Sequence, residues 1–200
     1  MRRILDSPSV YLLLQYLTGA MGARRRMLSD YASLSENMRV LDIGCGPGYV
    51  VNYLPNCSYV GLDLNNAYIS YASKKYGNDR RTFLCQPLDV TSVNRMDKFD
   101  LILMNGVLHH LRDNYAIQLL QLGKQSLKND GMLLTLDGCY EPKQSRVAKW
   151  LLDIDRGKWV RDQTGYLALV RKVFKNVEVY IRPDMAIIPY TFIIMRCSHG

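Results

Sequence analysis

The sequence predicts an α/β fold: a seven-stranded, mostly parallel sheet with helices on both faces and an antiparallel hairpin at its end. Two observations carry this. From about residue 38, short β-rich runs that are apolar throughout alternate with longer helical patterns. Strands without a polar face belong to a parallel sheet covered on both sides. The last two strands, 177–181 and 190–196, are joined across Pro183 and Pro189 by a link too short for a parallel crossover, so they pair antiparallel at the sheet edge.

Residues 1–37 read as a helical cap of two short helices. Val10, Leu13, Leu14, Leu17 and Met21 make one apolar face, and Met27, Leu28, Tyr31 and Leu34 another. Parallel strands fall at 39–43, 59–62, 82–85, 100–104 and 132–136, with helical segments near 49–54, 67–76 and 115–127. Gly131, after Lys128 and Asn129, reads as the helix stop before the fifth strand. An amphipathic helix then runs to Arg156, and a helix near 166–174 precedes the hairpin. Two hundred residues bury a sizeable core as one domain. Its parts are the cap, a core over 38–137, a lid-like helical segment over 138–165, and the last helix and hairpin over 166–200.

Composition narrows the class. A chain 48% hydrophobic and 22% charged is ordinary for a globular protein, which argues against disorder. The apolar run 10–17 is broken by Gln15 and too short to span a bilayer, and no cleavage site follows it. No targeting segment is read, and the expected location is the cytoplasm. The five cysteines are scattered without a C-x-x-C, so neither a disulfide framework nor a zinc site is indicated. Net charge is +8, yet residues 40–140 carry nine basic and nine acidic groups, whereas 141–182 carry ten against five. An excess confined to the flanks concerns partners rather than fold.

The strongest local signal is Val40-Leu41-Asp42-Ile43-Gly44-Cys45-Gly46-Pro47-Gly48, an apolar strand running into three glycines. Such a loop lets backbone approach a ligand at the carboxyl edge of a parallel strand. Asp63 ends the next strand nineteen residues after Gly44, where a carboxylate accepts both hydroxyls of a ribose. A dinucleotide fingerprint needs Gly or Ala where this chain has Tyr49, and no P-loop lysine is present. A nucleoside cofactor without phosphates therefore fits better than NAD or ATP.

Val40 to Gly48 resembles the first motif of class I S-adenosylmethionine-dependent methyltransferases, and the later strands supply that family's other landmarks in order. Gly61-Leu62-Asp63-Leu64 matches the second strand, Pro87-Leu88-Asp89-Val90 the loop after the third, and Phe99 to Asn105 the fourth. Val107-Leu108-His109-His110-Leu111 resembles the segment that follows. The likeness is firm over 38–137 and looser through the hairpin. It implies a Rossmann-like fold that uses S-adenosyl-L-methionine and yields S-adenosyl-L-homocysteine. By the same likeness Asp42, Gly44 and Asn105 hold the amino-acid end of the cofactor, with Cys45, Gly46 and Gly48 completing the loop. Asp63 and Leu64 meet the ribose, and Asp89 and Val90 the adenine. Asp89 also reads as a helix N-cap, and both readings stand.

For the acceptor, His109 and His110 lie just past a strand's carboxyl end, where open α/β sheets bind ligands. His109 is read as the cleft-facing general base and His110 as an acceptor-binding residue; otherwise one supports the loop and the other is exposed. Arg146, Lys149, Asp153 and Arg156 share one helix face, and Val147, Trp150, Leu151 and Ile154 share the face that packs over an apolar cleft. Arg146 and Arg156 are read as binding an anionic acceptor, against a merely solvated charged face. No metal site is read: Asp137, Asp153 and Asp155 could be imagined as one, but Asp153 and Asp155 point in different directions on a helix. An N-P-P-Y/F amino-methylation signature is replaced by Asn105-Gly106-Val107-Leu108. The expected activity is methylation of a small molecule, oxygen first and nitrogen or carbon next. The rivals are a nucleic-acid methyltransferase, favoured by Arg24-Arg25-Arg26, and a catalytically silent binder of S-adenosylmethionine. Oligomeric state is not legible.

Overall fold

The computed structural model describes residues 7–155 and 157–200. Its elements run α1 (Pro8–Thr18), α2 (Ala20–Tyr31), β1 (Arg39–Ile43), β2 (Ser58–Asp63), α3 (Asn66–Tyr76), β3 (Arg81–Cys85), α4 (Val90–Arg95) and β4 (Phe99–Asn105). Then follow α5 (Asp113–Ser126), β5 (Leu127–Tyr140), α6 (Arg146–Asp153), β6 (Arg161–Asp162), α7 (Gln163–Val170), β7 (Asn176–Arg182) and β8 (Phe192–Ser198). The sheet order is β3-β2-β1-β4-β5-β8-β7, with the two-residue β6 beside the end of β5. Strands β1 to β5 pair in parallel, and β8 runs antiparallel between β5 and β7. The expected α/β architecture and terminal hairpin are both present.

Alternation along the strands feeds two cores. Val40, Leu101, Leu103 and Leu134 pack with α2 and α3 on one face. Leu41, Ile43, Ile102, Met104 and Leu133 pack with α4, α5 and α7 on the other. The chain leaves β1 towards β2 on one side and returns to β4 on the other. The carboxyl ends of β1 and β4 therefore flank a crevice, the place where open sheets of this kind bind ligands.

Three local expectations change. Helix α5 stops at Ser126, because Leu127 is already buried and paired with Phe99. Gly131 instead lies in an irregular stretch of β5, where a Cβ would come 2.8 Å from the Phe99 carbonyl oxygen. The segment after the glycine loop is a tight 3₁₀ turn, Tyr49–Tyr53, rather than an α-helix. The apolar face expected on α1 is not a core face: no residue of α1 is buried, and Leu13 and Leu17 are 58% and 59% exposed. The helix lies across the cavity mouth instead of on the sheet, turning Tyr11, Leu14, Gln15 and Thr18 inward. Among the described residues, no helix is long and apolar enough to cross a membrane.

Candidate active site

The ends of β1, β2, β4 and β5 open into a cavity of about 920 Å³, closed over by α1, α2, the end of α6 and the segment leading into β8. Its floor is the glycine loop. Gly44 and Gly48 both hold a left-handed φ of 74°, which a side chain rarely adopts. Added Cβ atoms there would lie 2.7 Å from Val107 and 2.6 Å from the Phe83 ring. The loop is thus pressed against its neighbours, and its Gly44 and Gly46 face the cavity. Asp63 pins it: Oδ2 accepts the Gly46 N–H at 2.9 Å, and Oδ1 accepts the Asn65 N–H at 2.8 Å. Each carboxylate oxygen keeps a lone pair for a ligand hydroxyl.

Beneath the loop, polar atoms go unpaired. Asp42 is buried and accepts the Tyr59 hydroxyl at 2.8 Å on Oδ2, while Oδ1 has no partner. Burial pushes the Asp42 carboxyl up to about 7, opposed by that hydrogen bond and by the charge of Arg24. Asn105 is buried, faces the cavity, and has neither its amide nitrogen nor its amide oxygen bonded. Buried polar atoms without partners are uncommon and costly, so a cluster of them at a cavity floor fits a polar ligand. Above them the Arg24 guanidinium lines the cavity, bonded to Gln15 and the Tyr49 hydroxyl and 3.4 Å from the Tyr11 hydroxyl. An acid, an amide and a cation in one place suit the zwitterionic end of an amino acid.

Across the cavity, His109 is buried in the turn Leu108–His110. Its Nδ1 lies 2.7 Å from Asp137 Oδ1, which also accepts the His109 backbone N–H at 3.2 Å. Nδ1 therefore carries the proton, and Nε2 is left as the basic atom. His110 is exposed and also lines the cavity, its ring centroid 4.2 Å from that of His109. Much of the remaining wall is apolar, with Leu111, Leu119, Leu151, Ile154, Ile188 and Phe192 prominent, and Asp155 and Tyr190 are among its polar residues.

Residues 41–133 match a family described as a methyltransferase domain. The chain is 29% identical over 127 residues to the malonyl-[acyl-carrier protein] O-methyltransferase of Bacillus cytotoxicus, covering 60% of this chain and 43% of that one. Among solved structures it superposes on human N-acetylserotonin methyltransferase in complex with SAM at a TM-score of 0.70, with 16% identity, covering 98% of this chain and 58% of that one. A TehB-like SAM-dependent methyltransferase from Corynebacterium glutamicum superposes at 0.65 with 20% identity, covering 96% and 98%. The chain is thus similar over its central part to a methyltransferase domain, and it shares the fold of these solved structures. It spans less than half the length of the curated relatives it matches.

Not every residue assigned to the site from sequence meets the cavity. Gly44, Gly46, Asp63, Leu64, Asn105, His109 and His110 line it. Asp42 lies under it. Cys45 is buried against Gly61 and Gly48 against Phe83, so both shape the loop from behind. Asp89 takes its N-cap role: it is exposed and accepts from Ser92 N at 2.7 Å and Ser92 Oγ at 2.8 Å. With Asp89 turned to α4 and Val90 63% exposed, Gln86, Pro87 and Leu88 line the cavity in their place. Arg146 is exposed at the start of α6 and is not part of the wall, and Arg156 lies outside the described residues. On α6, Ala148 and Leu152 are the buried residues, Leu151 and Ile154 reach the cavity, and Val147 and Trp150 are exposed. Among the described residues, no group of three His, Cys, Asp or Glu is placed to hold a metal ion.

Proposed function

We propose that the chain methylates a hydroxyl oxygen on a small molecule with an apolar body. The observation that supports this is His109, whose Nδ1 is committed to Asp137 and which faces the same cavity as Asp63 and the glycine loop. When bound, S-adenosylmethionine supplies an electrophilic methyl group. Asp63 takes the ribose hydroxyls, Asp42 and Asn105 the ammonium end, and Arg24 the carboxylate; His109 Nε2 takes the acceptor's proton. The relative from Bacillus cytotoxicus is named as an O-methyltransferase, in keeping with this reading. An anionic acceptor draws no support from Arg146. Among the described lining residues, Arg24 is the single Lys or Arg, and it stands beside Gly106 and Asp42 at the cofactor end.

The reading is tested by calorimetry with S-adenosylmethionine, followed by transfer of a labelled methyl group to a panel of hydroxylated apolar compounds. Binding without transfer would favour the catalytically silent alternative. Arg24→Gln is expected to weaken cofactor affinity about 10- to 30-fold, the size of one charge-assisted pair. Unchanged cofactor affinity with a raised acceptor KM would instead assign Arg24 to an anionic acceptor. Of the run that favoured the nucleic-acid reading, Arg24 points inward, Arg26 pairs with Asp184 at 2.9 Å, and Arg25 is exposed.

A further inference from the structure

His109 stands between two carboxylates, and only one of them bonds to it. Asp137 Oδ1 is at Nδ1, while Asp155 Oδ1 lies 3.6 Å from Nε2, beyond hydrogen-bond length. Asp155 is not loose. Tyr190 donates its hydroxyl to Oδ2 at 2.8 Å, and the Gly157 N–H reaches Oδ1 at 2.9 Å. Tyr190 itself packs on Phe192, with ring centroids 4.8 Å apart and the planes tilted by 48°. The backbone at Gly157 and Trp159 is closed tightly on His109. The Trp159 N–H bonds the His109 carbonyl at 2.9 Å, and a Cβ on Gly157 would fall 1.9 Å from His109 Cδ2. Asp155, His109 and Tyr190 all line the cavity.

We infer that Asp155 is a positioning residue for the proton transfer: anchored by Tyr190, it sets the proton affinity of His109 Nε2 from a distance that leaves Nε2 open to the acceptor. The inference rests on the reading of His109 as the proton acceptor. In the step it serves, the acceptor's O–H proton would pass to Nε2 while that oxygen's electron pair forms the bond to the methyl carbon; the carbon–sulfur bond breaks, and its electron pair stays on the sulfur of the departing S-adenosylhomocysteine. The imidazolium so formed lies between Asp137 and Asp155, whose charges balance it in a buried position.

The groups facing the ring are Asp137 from β5, Asp155 after α6, His110 alongside and Arg24 from α2; Tyr190 acts through Asp155. Burial alone would lower the His109 proton affinity, and Arg24 opposes protonation as well. The bond and charge of Asp137 and the charge of Asp155 outweigh both, so the pKa is raised above 6.5. A base must be neutral to act. Activity is therefore expected to rise with pH through a midpoint above that of a free imidazole.

The test reads the His109 ring by NMR titration of the unliganded protein, with the His110→Asn variant assigning the signals. Asp155→Asn is expected to lower the proton affinity of His109 about tenfold. Asp155→Glu, which keeps the charge, is expected to hold the wild-type midpoint. In turnover, Asp155→Asn should move the kcat/KM midpoint to lower pH and reduce the high-pH plateau about threefold, since a weaker base accepts the proton less readily. If Asp155→Asn does not fold, Tyr190→Phe is read instead: it frees the carboxylate without removing its charge, and a His109 midpoint displaced from the wild-type value is expected. An unmoved His109 midpoint in a folded variant overturns the inference. Because the NMR arm needs no acceptor, that failure is distinct from failure of the methyl-transfer reading.

Discussion

His109→Ala is expected to lower turnover roughly 10²–10⁴-fold while leaving affinity for S-adenosylmethionine within about twofold. The ring follows β4, two strands along the sheet from Asp63 at the end of β2, and donates through Nδ1 to Asp137, so its loss removes the basic Nε2 and none of the bonds by which Asp63 pins the loop. Single-turnover kinetics with saturating cofactor measure the first quantity and calorimetry the second. The ring also fills the space against Gly157, so His109→Gln is the companion variant that keeps bulk. A loss of tenfold or less in both would leave His109 as a wall residue and transfer its role to geometry alone.

Asp63→Ala is expected to weaken cofactor binding by on the order of 2 kcal/mol, about 30-fold, because a charge-assisted partner of two hydroxyls is lost. The structure adds a second route to the same loss. Asp63 also holds the Gly46 and Asn65 N–H groups, so its removal loosens the loop on which the cofactor rests. Asp63→Asn separates the two. Its amide oxygen retains one backbone contact while the charge is gone, so an affinity between wild type and Asp63→Ala is expected by calorimetry. Equal affinity in all three proteins would take Asp63 out of the site.

The parallel core was legible because strands buried on both faces leave no polar residue to alternate, and β1 falls at 39–43 as expected. The floor of the site was legible for a related reason: three glycines and two acids at strand ends have few structural uses. The helical cap was not. Leu13, Leu14 and Leu17 have helical spacing, but periodicity does not say whether an apolar face meets the sheet or overhangs a cavity. Arg24 was hidden inside Arg24-Arg25-Arg26, which reads as a basic run. The signal was present in the spacing, since Arg24 lies four residues after Ala20 and four before Leu28 on the inward stripe of α2. Asp155 was weighed only as a metal ligand on a helix. The helix ends at Asp153, and the turn that follows brings Asp155 round to His109. Asp89 had two readings, and the residue three places on, Ser92, supplied the N–H and hydroxyl that decide it.

The buried Asp42 makes ligand uptake an exchange of protons as well as of contacts. With its carboxyl pushed up to about 7, the free protein holds this group near half-protonated at neutral pH. A cationic amine settling beside Oδ1 favours the ionised form, so binding near pH 7 ejects a fraction of a proton into the buffer. The heat of binding then depends on what the buffer absorbs, larger in one of high ionisation enthalpy than in phosphate. The same displacement acts on the fold. An acid whose pKa is higher folded than unfolded contributes stability that is whole below its unfolded value near 3.8 and is lost as pH rises through about 7. Above neutrality the domain without ligand carries a buried charge with one oxygen unpartnered, and the ligand that neutralises it has more stability to restore there than at pH 5.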